Sequence, residues 1–161
     1  MPRIAKQTRQ ILKQAVREAS DLNSRSVEAE HILLAISGQS GAGRAVLLEF
    51  GLDHSGIVGG LRAEFETSLS AAGVDISDYA ELALTGAKQK RKKPKWGSSA
   101  TLVVKRAALN SVIAEEKRRI EPAHLLLALL QAREGTVPRL LAAIDVDRRA
   151  LTQRVEEEMA A

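Results

Sequence analysis

Glu30-His31-Ile32-Leu33-Leu34-Ala35-Ile36 returns, 93 residues further on, as Ala123-His124-Leu125-Leu126-Leu127-Ala128-Leu129. This pair of blocks decides the fold class, because a repeat that goes unseen leads to the wrong architecture for the whole chain. The likeness extends outward in both directions. Upstream, Ile11, Leu12, Ala15 and Ala19 correspond to Val103, Val104, Ala107 and Ser111 at an offset of 92. Downstream, Leu52-Asp53, Ile57, Leu61 and Phe65 correspond to Val146-Asp147, Leu151, Val155 and Met159 at an offset of 94. A drift of one residue between blocks is what loop insertions between matched helices produce.

Apolar spacing inside the blocks is helical. Ile11, Leu12, Ala15, Ala19 and Leu22 follow i, i+1, i+4, i+8, i+11, and Val137, Leu140, Leu141 and Ile144 follow i, i+3, i+4, i+7. No block alternates with period two. The spacing predicts four helices per copy, over 5–22, 28–37, 43–50 and 54–69, then 99–115, 122–132, 136–144 and 148–160. Asp53 and Asp147 stand where a short acceptor can cap the fourth helix of each copy. Pro122 suits a first-turn position. Gly38, Gly41, Gly43 and Gly51 punctuate the first copy, and Gly135 with Pro138 the second. The expectation is an all-α fold: two pseudo-symmetric four-helix repeats, about 4–70 and 99–160, in one domain spanning 1–161. Neither copy is expected to be stable alone, since units rich in Ala and Gly bury limited area and need the twin.

The chain has 161 residues, 45% of them apolar, with 24 Lys and Arg against 20 Asp and Glu. That length supports one core, and the charged fraction of 27% argues against disorder. There is no cysteine, which excludes disulfides, thiolate catalysis and thiolate metal sites and agrees with a cytoplasmic address. No run of about 18 apolar residues is present, and the N-terminus lacks a signal-peptide core.

Net charge is +4, but six of the basic residues crowd into one stretch: Lys88, Lys90, Arg91, Lys92, Lys93 and Lys95. Without them 18 basic residues face 20 acidic ones, so the positive character belongs to a segment and not to a face. This stretch lies in a linker, 71–98, longer than the ~15 residues that ordinary loops rarely exceed. Its first part, Asp75 to Leu84, can make a short helix capped by Ser77 or Asp78, while charge repulsion predicts mobility for 88–95.

At the paired histidine-aliphatic blocks the chain resembles the Clp N-terminal domain, the double-repeat helical module of Clp unfoldases, across both repeats. That resemblance implies a non-catalytic module binding substrate proteins, adaptors or cyclic peptides for an unfoldase and its protease, with a ClpC-type unfoldase as partner. No G-x-x-x-x-G-K-[ST] phosphate cradle occurs, so this polypeptide is not the motor. It is either an excised domain of a longer protein or a free-standing one; beginning at Met1 and ending past the last helix favours the free-standing reading, and a monomer is expected. In ClpC-type relatives the acid before each repeated histidine receives the guanidinium of phosphoarginine. Glu30 holds that place in the first copy and Ala123 in the second. The family hydroxyl near the start of each first helix is Ala5 and Gly97 here, with Ser98 and Ser99 adjacent. One weakened phosphoarginine site, around Glu30, is what this leaves, with Ser98 as a further candidate for ligand binding. The family aromatic ahead of each first helix is Trp96 in the second copy and Ile4 in the first, and Arg9 and Leu12 match positions of the ligand patch. Trp96 is either a packing anchor or a recognition anchor.

His31 and His124, being repeat equivalents, suggest a shared structural role such as hydrogen bonding near a helix start. His54 has no repeat partner, and no ligand set for a metal is evident. Glu30 and His31 are adjacent on a helix, point about 100° apart and lack a nucleophile, which argues against an enzyme. The alternative function is binding of nucleic acid or an acidic protein through 88–95, with Trp96 as a stacking surface.

Overall fold

The computed structural model describes residues 2–74, 93–114 and 119–161. The predicted helix at 75–84 and the basic residues Lys88, Lys90, Arg91 and Lys92 lie outside these. Eight helices are described: α1 (Lys6–Asp21), α2 (Ala29–Gly38), α3 (Ala42–Glu49) and α4 (His54–Ala71) in the first repeat, then α5 (Ser98–Ile113), α6 (Pro122–Leu130), α7 (Thr136–Ala143) and α8 (Arg148–Ala160) in the second. The helices fall within about two residues of the positions that periodicity predicts. The all-α class holds.

The repeated blocks form α2 and α6, and both are buried nearly all round: His31 through Ser37 and His124 through Leu130 are inaccessible. A helix apolar on every side belongs in the centre. α1 lies over α2 and α5 over α6, and the small side chains at Ala15, Ala19, Ala107 and Ser111 let these pairs approach closely, each being fully buried. The core runs continuously from Ile32, Leu34 and Leu47 in the first repeat to Leu125, Leu129 and Leu140 in the second. Deleting any one of these side chains to alanine costs about 2–5 kcal/mol.

Four two-residue strands were not anticipated: β1 (Arg3–Ile4), β2 (Ser26–Val27), β3 (Lys95–Trp96) and β4 (Arg119–Ile120). They are too short to show an alternating pattern. Each pairs across the repeats, in parallel, β1 with β4 and β2 with β3. The strand before the first helix of one copy therefore lies beside the strand before the second helix of the other. This exchange obeys the pseudo-twofold and sets the N-termini of α2 and α5 side by side, and those of α1 and α6 likewise.

Caps follow the repeat as well. Asp53 Oδ1 accepts from the Gly56 N–H at 2.7 Å, and Asp147 Oδ1 from the Ala150 N–H at 3.0 Å. Pro122 is the first residue of α6. Gly51 and its repeat equivalent Asp145 both take left-handed backbone, with φ of 72° and 53°, a conformation that glycine adopts freely and aspartate tolerates better than most side chains.

Candidate functional site

The seam where β2–α2 meets β3–α5 carries most of the candidate residues. At its base, the Glu28 backbone N–H donates to His31 Nδ1 at 2.8 Å, and at the matching seam of β1–α1 with β4–α6 the Glu121 N–H donates to His124 Nδ1 at 2.8 Å. Each histidine thus closes the first turn of its own helix, the structural role their equivalence suggests. Accepting at Nδ1 requires the neutral ring, and burial pushes the His31 pKa below its ordinary value.

Glu28 reaches across the seam. Its carboxylate accepts from Ser26 Oγ at 2.9 Å, from the Ser99 backbone N–H at 3.3 Å, and from Ser99 Oγ. Ser99 Oγ also lies 2.9 Å from the Ala29 N–H, as its acceptor. A carboxylate at the first turn of α5 is a fitted anion at a helix N-terminus. Gly97 makes room for it: a Cβ there would overlap the Glu28 carboxylate. The Gly97 N–H meanwhile donates to the Val27 carbonyl at 2.9 Å, which holds the two chains in register.

Glu30 lies one residue beyond this lock, in the first turn of α2, and is half-buried. Among the described residues its carboxylate has neither a side-chain hydrogen bond nor an ion pair. Desolvation pushes its pKa above the ordinary carboxylate value, Glu28 and Glu64 push the same way, and its own backbone N–H and Arg139 oppose. Arg139 is already engaged, donating from Nε to Glu64 at 2.8 Å. The arrangement is a partly desolvated carboxylate with acidic neighbours and, among the described residues, no counterion of its own, which can accept a cationic group.

The remaining candidates separate. Trp96 is 44% exposed on β3 at the edge of the seam, and Ile4 is its exposed counterpart on β1. Ser98 is exposed, and it is Ser99, one residue on, that makes the contact. Arg9 is exposed on α1, whereas Leu12 packs against the core. Of the basic run only Lys93 and Lys95 are described, both exposed. The family pairing of Ala5 with the first copy and Gly97 with the second is crossed in space: 97–99 lie at the start of α2, while the Ala5 N–H donates to the Ile120 carbonyl beside α6. Glu28 escaped the sequence reading. Its signal was an acid three residues before each repeated histidine, Glu28 and Glu121 alike.

Among the described residues no group of three His, Cys, Asp or Glu can hold a metal ion, and no helix is long and apolar enough to cross a membrane. A search of curated proteins found no match. The family of the Clp repeat (R) N-terminal domain matches over residues 98–161, the second repeat. Among solved structures, the N-terminal domain of the caseinolytic protease associated chaperone ClpD from Arabidopsis thaliana is similar over 99% of this chain and 96% of its own, with a TM-score of 0.71 and 16% identity. A chain from structural investigations of a malarial protein secretion system is similar over 98% of this chain and 95% of its own, with a TM-score of 0.62 and 14% identity. In sequence over its second repeat, and in fold over its whole length, the chain resembles the Clp N-terminal domain.

Proposed function

We propose that this protein is a non-catalytic binding module of a Clp unfoldase system, in the cytoplasm, capturing substrate proteins, adaptors or cyclic peptides through the seam between α2 and α5. The observation that carries this reading is Glu30, a half-buried carboxylate in the first turn of α2 that has no counterion among the described residues. Structural carboxylates are normally paired; one that is desolvated and left unpaired costs stability, and such groups concentrate at functional sites.

The charge of the seam selects the ligand. Glu28 already fills the anion seat at the α5 N-terminus, so a phosphoryl group entering there must displace it and meet two carboxylates. A guanidinium without phosphate meets the carboxylates of Glu30 and Glu28, and the nearby Arg139 is already paired with Glu64. The seam therefore favours an arginine side chain over phosphoarginine, with Trp96 flanking the entering peptide.

Titration of the protein with an arginine-containing peptide and its phosphoarginine twin, followed by Trp96 fluorescence, tests this. The arginine peptide should bind more tightly, and Glu30→Gln should abolish the difference. Tighter binding of the phosphopeptide, or no response to either peptide, defeats the reading. Glu30→Gln has a second readout. Because the folded pKa is raised, the native carboxylate is penalised once pH exceeds the unfolded value of 4.5, so the variant should be the more stable at neutral pH, with the gap closing as pH falls toward 4.5.

A further inference from the structure

The outer face of α5 has no role in the seam and none in the core. Leu102, Leu109, Val112 and Ile113 are exposed along it, Ile113 by 70%. At 100° per residue Leu102, Leu109 and Ile113 fall within about 40° of one another, so they form a line about 16 Å long on one side of the helix. Single exposed leucines need no explanation, but four on one helical face do.

The repeat supplies its own control. On α1 the equivalent positions, at the offset of 92, are Gln10, Arg17, Ser20 and Asp21. The same helix in the same fold is therefore stable with polar and charged side chains at every one of these places. Folding does not require the apolar line, which leaves association as the physical use for it.

Charge decides the occupant. Lys105 is exposed and Arg106 half-buried, one on either side of the line, and neither has an ion pair among the described residues. A second copy packed antiparallel on this face would bring its own Lys105 and Arg106 within about 10 Å of the first pair, inside the screening length at physiological salt. That repulsion disfavours self-association. A convex helical ridge flanked by cations that have no ion pair among the described residues suits another helix with an apolar stripe and acidic flanks.

We propose that the outer face of α5 is a docking surface for an acidic-flanked amphipathic helix of a partner protein, separate from the Glu30 seam and independent of what the seam binds. The probe is a designed 18-residue amphipathic helical peptide with a leucine stripe and glutamate flanks, labelled for fluorescence anisotropy, beside a twin with lysine flanks. The glutamate peptide should bind the full chain at least ten-fold more tightly than the lysine peptide. The double variant Leu109→Arg with Ile113→Asp installs the residues of the twin helix and should fold normally by circular dichroism while losing at least ten-fold in binding. Lys105→Glu with Arg106→Glu should reverse the preference in favour of the lysine peptide. Equal affinity for the two peptides, retention of binding by the stripe variant, or no binding at all overturns the proposal. So does concentration-dependent dimerisation in sedimentation that the stripe variant removes, which would assign the face to a second copy.

Discussion

At Gly60 the α4 helix comes so close to α7 that a Cβ would stand 2.4 Å from Leu140 Cδ1 and 3.0 Å from Ile144 Cγ2. At the repeat-equivalent position the second copy has Arg154, whose guanidinium bonds Glu49 of α3 at 2.9 and 3.1 Å and Glu158 of its own helix at 3.2 Å. These are the two crossings by which the fourth helix of each repeat reaches the third helix of the other. One is a close apolar contact with a single flanking ion pair, Arg139 to Glu64; the other is an exposed network of charges. The pseudo-twofold fixes which helices meet but not how they are held. Symmetry at the level of the backbone has left the chemistry of each contact free to diverge.

The part that did not diverge should be the most costly to disturb. His31 and His124 make the same hydrogen bond in both copies and are almost fully buried, at 3% and 1% exposure. Replacing either by alanine removes the acceptor for a helix-start N–H and opens a cavity in a central helix. The expected loss is about 2–4 kcal/mol for each, similar in the two copies, measured by denaturant unfolding. A large loss for one and none for the other would show that the caps are not equivalent. His31 adds a pH signature. Its folded pKa is lowered, so the unfolded chain binds the extra proton, and native stability falls as pH drops below 6.5. Histidine-to-alanine at 31 should remove that share of the slope.

Next in size is the close crossing itself. Gly60→Ala should destabilise by about 1–3 kcal/mol with an unchanged dependence on denaturant, because Leu140 and Ile144 must move in a packed core. A neutral result would mean that α4 and α7 slide apart freely, and the contrast between the two crossings would lose its basis.

What was legible in the sequence follows the same division between backbone and contact. Helix positions could be read because Ile11, Ala15, Ala19 and their partners carry a period, and because Asp53 and Asp147 mark the same cap twice. The short strands were illegible, since two residues such as Lys95-Trp96 carry no period and their pairing depends on chain about 70 residues away. The site was half legible. Glu30 was found through its place before His31, but Glu28 gains its meaning only when β3 lies beside β2 and brings Ser99 to it. Gly97 was read as a missing hydroxyl. In space it is a vacancy for the Glu28 carboxylate, whereas its counterpart Ala5 carries a Cβ and is buried, its N–H donating to the Ile120 carbonyl. Contacts between distant segments cannot be inferred from local periodicity, and it is there that the two repeats differ.

The smallest effect is expected at the open crossing. Arg154 makes more polar contacts than any group at the Gly60 crossing, yet its partners Glu49 and Glu158 are solvated, with 47% and 33% of their side chains exposed. Exposed ion pairs gain little Coulomb energy in water, restrict long side chains and are screened by salt. Arg154→Ala should therefore shift the unfolding midpoint far less than Gly60→Ala, and the shift should shrink further as salt is raised. The Glu49→Gln variant should behave in the same way, and the double variant should lose little more than either single one, because all three remove one shared network. A loss at Arg154 as large as that at Gly60, persisting in high salt, would mean that the aliphatic stem of the arginine packs between α3 and α8 and that both crossings are held by apolar contact after all. The two outcomes separate packing from charge at the one inter-repeat contact where geometry alone counts hydrogen bonds in favour of charge.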